Sequence, residues 1–305
     1  MGNLRVSLFG HFRAQCDESI LTDLYPPKLR ELLCYLLVYR DRAHSRETLA
    51  GLLWGDSSTA RSKKYLRQAL WQLQHATDSR GVSPNRDLLV VDPDRIRINP
   101  AADLWLDVAV FERALARAQG VSGAALDAQQ AHALCDAAEL YQGDLLEGWF
   151  QDWCLFERER LQNMYLVLLD KLMDYCEAHD SYEAGLDYGM RSLRYDQARE
   201  RTHRRLMRLY YLAGDRTAAL RQYDCCVEAL RRELAVRPSA RTTALYQQIR
   251  TEEFSDPARS VVARPLGGSH WPEAIEHLRC LQKNLTEVQD ELRRAIRAVE
   301  MAMRG

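Results

Sequence analysis

The chain lacks the residue spacings that mark most metal and catalytic sites. Its eight cysteines form no Cys-x-x-Cys pair and no Cys/His pattern of zinc-binding spacing, so we predict no metal centre. No Ser/His/Asp order suggests a catalytic triad. Several carboxylates in helical patterns have no histidine positioned nearby in the sequence. These are Asp144, Glu147, Glu157 and Glu159. We therefore expect neither enzymatic activity nor a cofactor.

Long apolar segments are also missing. No run approaches the roughly 20 apolar residues that a membrane-spanning helix needs. The N-terminus alternates apolar and polar residues, as in LRVSLFG (4–10), where a signal peptide would have a continuous apolar region. We expect a soluble, cytoplasmic protein with no membrane partner.

Acidic residues are absent from one basic segment, TARSKKYLRQALWQLQH (59–75). At 100° per residue, its leucines and Ala69 fall on one helical stripe, and cations and amides occupy the opposite side. A solvated helix in a chain of net charge −1 would normally include Asp or Glu. An outward face of cations and amides is what reading a DNA major groove requires.

The elements around this segment predict a winged helix-turn-helix. Two helices, beginning near Pro26-Pro27 and at Ser45, precede the basic helix, and two short strands follow around Asp92-Pro93-Asp94. The first hundred residues hold 15 basic and 11 acidic residues, whereas the remainder holds 27 and 32. This modest basic excess fits a nucleic-acid partner without proving one.

Eight residues are candidates for contact with double-stranded promoter DNA. They are Arg61, Lys63, Lys64, Arg67, Gln68, Trp71, Arg95 and Arg97. Arg and Lys suit guanine edges or phosphates, and Gln can pair with adenine. Lys63, nearer the apolar edge, can contact phosphate at most. Trp71 could pack on thymine methyls or sugars, or be buried against the wing; Arg95 and Arg97 could clamp the backbone or be solvated.

Beyond Ala101 the pattern is almost wholly helical. HDSYEAGLDY (179–188) matches GDRTAALRQY (214–223) at a spacing of 35, which pairs Ala184 with Ala219. A repeat near 34 residues, with a small residue where paired helices touch, predicts a tetratricopeptide (TPR)-like domain.

The C-terminal segment predicts a coiled coil after a linker. Residues 253–273 are rich in Pro, Gly and Ser. Apolar residues then alternate steps of three and four over four heptads, which favours dimerisation, although the helix could instead pack on its own domain. The candidate dimerisation residues are Leu278, Leu281, Leu285, Val288 and Leu292.

Over residues 4–250 the chain resembles the SARP-like bacterial activators, which join an OmpR-type winged helix to a bacterial transcriptional activator domain (BTAD). The resemblance rests on LRVSLFG, LLCYLL and SRETLAGLLWGD in the first part. In the second part it rests on LYQGDLLEGW, DWCLFERERL, AGDRTAALRQYDCCVEALRREL and LAVRPSARTTALY. Gln74 stands where the family usually has Arg, and Gly55 where Pro is frequent.

The resemblance implies that the helix at 60–76 enters the major groove and that the wing approaches the minor groove or backbone. It also implies that one loop faces RNA polymerase. That loop consists of Trp54, Gly55, Asp56, Ser57 and Ser58. Larger family members carry an NTPase module; this chain has no GxxxxGK[ST] motif, so we expect no ATP hydrolysis.

An arginine-rich segment, RSLRYDQARERTHRRLMR (191–208), has three interpretations. It is a solvated helix face, a site for an anionic effector such as a nucleotide, or a surface for an acidic partner. The candidate effector residues are Arg194, Arg201, Arg204, Arg205 and Arg208.

The sequence thus predicts a mainly α protein in four parts. These are a winged helix-turn-helix with small β-sheets (1–100), a TPR-like BTAD (101–252), a linker (253–273) and a coiled-coil helix (274–305). The predicted function is that of a dimeric DNA-binding transcriptional activator that contacts RNA polymerase. The alternatives are a TPR and coiled-coil scaffold or adaptor with a vestigial DNA-binding domain, and a regulator controlled by the anionic effector.

Overall fold

A computed structural model describes residues 4–16, 19–20, 26–78 and 87–252 of the chain. The described residues up to Arg250 belong to one compact unit. The predicted linker, coiled coil and dimerisation leucines lie outside the described residues. Among the helices that are described, none combines the length and the apolar character needed to cross a membrane.

The N-terminal region has the predicted winged-helix order. Its elements are β1 (Leu4–Ser7), β2 (Arg13–Cys16), β3 (Ser19–Ile20), α1 (Pro27–Val38), β4 (His44–Ser45), α2 (Arg46–Trp54), α3 (Thr59–Asp78), β5 (Leu89–Val91) and β6 (Arg95–Ile98). Strands β4, β6 and β5 form a three-stranded sheet, in which β5 and β6 are the wing hairpin. The prediction of a mainly α fold with small sheets and an N-terminal winged helix is confirmed.

Local sequence explains where these helices begin. Pro27 is the first residue of α1, where its missing N–H costs nothing and its fixed φ suits the helix. Ser45 caps α2 as predicted, and its hydroxyl accepts a hydrogen bond from the Glu47 amide at 3.2 Å. Leu32 and Leu36 of α1 and Leu49 of α2 are fully buried and belong to the same hydrophobic core as the leucines of α3.

The remainder of the described chain is helical after one further strand. Its elements are β7 (Leu104–Leu106), α4 (Asp107–Arg117), a 3-10 turn (Gly123–Ala125), α5 (Ala128–Leu140), α6 (Asp152–Ala178), α7 (Tyr182–Tyr195), α8 (Glu200–Leu212), α9 (Arg216–Leu234) and α10 (Ala240–Thr251). Consecutive helices from α6 to α9 pack against one another, as in a series of helix pairs.

The small residue at which α7 touches its neighbours lies one position after the residue that the sequence repeat predicts. Ala184 is exposed, whereas Gly185 is buried at the position that corresponds to Ala219 of α9. A Cβ at Gly185 would lie 3.0 Å from a Leu209 methyl and 3.1 Å from the Cys176 Cβ. Glycine therefore allows α7 to approach α6 and α8 closely, and the spacing between equivalent contacts is 34, not 35.

The winged helix and the helical region share a continuous core. Strand β7 pairs in parallel with β1, with Leu4 opposite Leu104, and completes a sheet of order β3-β2-β1-β7. The Phe9 ring packs against the rings of Phe111 and Tyr141, at centroid distances of 5.3 and 4.7 Å, and these two rings also contact each other at 5.9 Å. Strands from both sides of residue 100 therefore form one sheet. The domain boundary at that residue stays a prediction.

A buried carboxylate links these two regions. Asp107, only 2% exposed, begins α4, and its Oδ2 accepts hydrogen bonds from the amides of Leu8 (2.8 Å) and Phe9 (3.0 Å). Its Oδ1 accepts a third from Val108 at 2.7 Å. Burial raises the pKa of Asp107 to about 6, although the three N–H donors favour the charged form.

We predict that Asp107→Ala destabilises the protein, because it leaves the Leu8 and Phe9 amides buried without acceptors. At about 1–3 kcal/mol for each such group, the free energy of unfolding should fall by about 2–4 kcal/mol. Chemical denaturation at pH 7.5 measures the change. Asp107→Asn keeps one acceptor oxygen and should lose less. The control is Asp103→Ala, which removes an exposed carboxylate; an equal loss in the control would contradict the role of Asp107.

Candidate nucleic-acid interface

The apolar side of α3 is buried as predicted. Leu66, Ala69, Leu70 and Leu73 are at most 5% exposed and pack towards α1 and α2, which contact α3 extensively. Ser62, one turn before Leu66, is also buried. This packing fixes the rotation of α3 about its axis, and the rotation decides which side chains face outward.

The opposite side of α3 presents all six of its candidate DNA-binding residues to solvent. They are Arg61, Lys63, Lys64, Arg67, Gln68 and Trp71. Lys63 forms an exposed ion pair with Glu47 of α2 at 2.6 Å, which fits its predicted place at the edge of the surface. In the described part of the chain, no carboxylate lies within salt-bridge distance of Arg61, Lys64 or Arg67. This surface therefore keeps an uncompensated positive charge.

Trp71 lies on this surface and is not buried against the wing. Its side chain is 58% exposed, and its ring lies against His75 at a centroid distance of 4.0 Å. The two rings, tilted by 31° to each other, form an aromatic patch beside the cations. Of the two interpretations that the sequence left open for Trp71, the structure excludes burial.

Both wing arginines point outward. In β6 the exposed Arg95 and Arg97 alternate with Ile96 and Ile98, which are 0% and 6% exposed. This is the two-residue period of a strand with one buried face. For Arg95 and Arg97 to extend the positive surface of α3, the hairpin must be held beside the helices.

Two hydrogen bonds from Arg46 to carbonyls of the wing hold the hairpin beside the helices. The amide of Arg46, the first residue of α2, donates to the Asp94 carbonyl at 3.0 Å, and its guanidinium donates to the Asp92 carbonyl at 3.4 Å. In addition, β4 pairs with β6, with Ser45 opposite Arg95. The turn of the wing is thus fixed to the start of α2.

The loop between α2 and α3 is ordered by one buried hydroxyl. Ser62 donates to the carbonyl of Trp54 at 2.8 Å and lies within 3.4 Å of the Ser57 and Ser58 carbonyls. Gly55 has φ −57° and ψ −29°, and a Cβ at this position would lie only 2.7 Å from the Gly51 carbonyl oxygen. Glycine therefore lets the chain leave α2 without a steric conflict that proline would introduce. Asp56 and Ser58 are exposed.

Sequence reasoning missed the role of Tyr65 in this region. Its ring is 40% exposed and lies 6.3 Å from the Trp54 ring, so it connects the basic surface of α3 with the loop. The signal was available, since an aromatic residue four positions after Arg61 falls on the same side of the helix.

The arginine-rich segment is mostly paired within the protein. Asp170, Asp174 and Glu177 lie on one face of α6 and meet four guanidinium groups from the start of α8 and the preceding loop. The distances are 2.7 Å (Arg199–Asp170), 3.0 Å (Arg205–Asp170), 2.5 Å (Arg205–Asp174), 2.5 Å (Arg208–Glu177) and 3.8 Å (Arg201–Asp170). Sequence reasoning weighed the arginines alone and missed these carboxylates.

The candidate effector residues are therefore not brought together around an open site. Arg204 bonds with Glu200 (3.5 Å) and Thr242 (3.0 Å). Arg194 lies apart on α7, beside an apolar cleft that Met190 and Arg232 also line. Four of the five candidate arginines already pair with carboxylates of the protein, which weakens the hypothesis that this segment binds an anionic effector. Effector binding at this segment stays a prediction.

Comparisons with known proteins agree with this architecture. Residues 106–250 match the bacterial transcriptional activator domain family. The chain is 28% identical over 261 residues to the regulatory protein AfsR of Streptomyces coelicolor, a match that covers 81% of this chain and 24% of AfsR. It is 27% identical over 230 residues to the transcriptional regulatory protein MoaR1 of Mycobacterium tuberculosis, covering 73% of this chain and 72% of MoaR1. The chain thus spans about a quarter of the length of AfsR.

A solved structure shows the same fold. Mycobacterium tuberculosis EmbR, in a complex with a low-affinity phosphopeptide, superposes with a TM-score of 0.71 at 19% identity, covering 85% of this chain and 68% of EmbR. The winged helix and the BTAD match make the chain similar to proteins of one class, the transcriptional regulators. More narrowly, residues 106–250 match the bacterial transcriptional activator domain family, and the chain as a whole is similar to SARP-like regulators.

We predict that Asp170→Asn destabilises the helical region. The Asp170 side chain is 9% exposed and faces Arg199 and Arg205, which are 20% and 12% exposed. Removing one partner of a buried ion pair costs about 3–5 kcal/mol, and we expect a loss near the lower end of that range in chemical denaturation.

The matched control for this prediction is Asp136→Asn. Asp136 forms only an exposed contact with His132 at 3.6 Å, so its loss should cost less than about 1 kcal/mol. Equal destabilisation by the two variants would show that the α6–α8 ion pairs do not stabilise the fold.

Proposed function

We propose that this protein is a sequence-specific, DNA-binding transcriptional activator that reads promoter DNA with α3. One observation carries the proposal: the outward face of α3 holds Arg61, Lys64 and Arg67 without carboxylate partners in the described part of the chain. A helix fits the width of the major groove, and cations on its outer face can neutralise phosphates or bind guanine edges.

Gln68 and Trp71 would add base contacts in the same groove. The Gln68 amide can accept and donate at one adenine edge. The exposed ring of Trp71 offers an apolar surface to thymine methyl groups or sugars. Arg95 and Arg97, on a wing fixed beside α2, would bind the phosphate backbone or the minor groove, and Lys63 would contact phosphate only.

RNA polymerase is the second proposed partner, through the loop of residues 54–58. The resemblance to SARP-like activators supports this role. The ordered loop backbone and the exposed side chains of Asp56 and Ser58 agree with a contact surface whose shape is set before binding. A preformed surface loses less entropy on association than a loop that must be ordered.

The proposal includes a cytoplasmic homodimer. Dimerisation through the heptad leucines of residues 274–305 rests on the sequence pattern, and the TPR-like helices would dimerise or receive a regulatory signal. The competing hypothesis is an adaptor with a vestigial winged helix. It makes a different prediction for DNA, because an adaptor should bind duplexes with no preference above the non-specific background.

We predict that Lys64→Ala with Arg67→Ala weakens DNA binding. The test uses full-length protein and a duplex selected by the wild type from a random library, with affinity measured by fluorescence anisotropy. At about 1–3 kcal/mol per good contact, the double variant should lose about 2–4 kcal/mol of binding free energy, and the salt dependence should become shallower.

The matched control removes the same charge from the helical region. Arg221→Ala with Arg237→Ala changes two exposed arginines and should leave affinity for the selected duplex unchanged. Unchanged affinity in the Lys64/Arg67 variant would overturn the assignment of this surface. Failure of the library to yield any preferred sequence would favour the adaptor hypothesis.

A second prediction separates polymerase contact from DNA binding. Asp56→Ala with Ser58→Ala removes two side chains but retains the backbone carbonyls that Ser62 holds. Duplex affinity should stay unchanged, while in vitro transcription with purified RNA polymerase should fall about tenfold, as expected when contacts worth about 1.4 kcal/mol are lost. Full transcription by this variant would remove the loop from the proposal.

A further inference from the structure

A cavity at the base of the wing is lined by four arginines. It has a volume of about 430 Å³ and lies where the α1–β4 connection, β6, β7 and α4 meet. The cationic lining comes from Arg40, Arg42, Arg97 and Arg113. Asp41 is the single acidic residue in the lining. The volume is within the range of about 300–1,000 Å³ that is typical of small-molecule sites.

The positive charge of this cavity is largely uncompensated. In the part of the chain that the structure describes, no carboxylate pairs with Arg42, Arg97 or Arg113. Arg40 pairs with Glu112, but Glu112 is shared with Arg160 at 2.6 Å. Like charges around one concave surface repel one another, and a bound anion would relieve that repulsion.

The walls of the cavity are preformed. Asn99 fixes the turn after β6, since its side chain donates to the Asp87 carbonyl at 2.9 Å and accepts from the Ala101 amide at 3.0 Å. Arg42 is held against the ring of Tyr39, with its guanidinium carbon 4.6 Å from the ring centroid. A ligand would therefore meet a turn that the fold has already set and two guanidinium groups, those of Arg40 and Arg42, that are already oriented by protein contacts.

Apolar side chains form the other part of the lining. Ile98, Leu104 and Leu106 extend it behind the arginines, and Ala109 lies one helical turn before Arg113 on α4. A bare anion would leave this apolar surface uncovered. An organic anion with a compact body would cover it while its charged end reached the guanidinium groups, whose paired N–H donors match phosphate geometry.

We propose that this cavity is a binding site for a small organic phosphate of mononucleotide size. The site is distinct from the arginine-rich segment at 191–208, whose cations are mostly paired internally. It shares only Arg97 with the proposed DNA surface, and its other three arginines lie outside that surface. Its lining joins the wing strand to the first helix of the BTAD. A ligand bound there would tie the base of the wing to the helical region.

Isothermal titration calorimetry on the full chain without DNA tests the proposal. The probes are AMP, GMP, ADP and GDP, with inorganic pyrophosphate as the bare anion and adenosine as the uncharged control. We expect saturable binding of at least one nucleotide, tighter than that of pyrophosphate, and no binding of adenosine. Arg113→Ala and Arg42→Ala should each weaken nucleotide binding about tenfold, the factor for about 1.4 kcal/mol.

The matched control is Arg117→Ala. Arg117 is exposed one turn further along the same helix and does not line the cavity, so its loss changes the net charge equally and should leave binding intact. The proposal is overturned if no probe binds saturably, or if Arg113→Ala binds nucleotides as the wild type does. It is also overturned if Arg113→Ala alters only the affinity for duplex DNA, because the phosphate partner would then be the DNA backbone.

Discussion

The hydrogen bonds from the Leu8 and Phe9 amides to the Asp107 carboxylate are the contact on which the described architecture depends. They bring the N-terminal strand to the start of α4, and the Phe9 ring then enters the aromatic cluster of the BTAD. A buried carboxylate is costly unless its oxygens accept hydrogen bonds. Here both oxygens accept backbone hydrogen bonds, two from the N-terminal segment and one from the Val108 amide of α4. The two regions therefore behave as one folded body, and the position of α3 relative to the BTAD is set by packing rather than by a tether.

Local pattern was sufficient to predict the elements of the winged helix. The leucine stripe of α3, the cap at Ser45 and the alternation of Arg95 to Ile98 each depend on residues close in sequence, where periodicity is informative. Contacts between distant segments were beyond such reasoning. Nothing near Arg205 indicates that Asp170 and Asp174 would neutralise it, and nothing near Leu4 indicates its pairing with Leu104. The one-residue error at Ala184 has the same origin, because only packing shows that Gly185 faces the neighbouring helices.

The pairing of arginines distinguishes structural from recognition surfaces in this molecule. On α8, guanidinium groups meet carboxylates of α6 at 2.5–3.0 Å and act as internal cross-links between helices. By contrast, most cations of the α3 surface and of the cavity at the base of the wing have no acidic partner in the described chain. These are Arg61, Lys64 and Arg67 on α3, and Arg42, Arg97 and Arg113 at the cavity. The number of arginines in a segment is therefore a poor guide to anion binding, since the densest arginine cluster, at 191–208, is the one most fully neutralised by carboxylates. Charge that remains exposed and unpaired is the better guide to where an anionic partner would bind.

The parallel pairing of β1 with β7 has a consequence for the order of folding. During synthesis β1 leaves the ribosome early, yet one of its two neighbours in the sheet is not made until residues 104–106 follow. Until then one edge of β1 has unsatisfied backbone groups, and exposed strand edges can pair wrongly with other chains. The three helices α1, α2 and α3 need no residue beyond position 100 for their mutual packing, so they can form first. The sheet is completed only when the first residues of the BTAD have been synthesised, so the N-terminal sheet cannot reach its final form before the second region begins to be made.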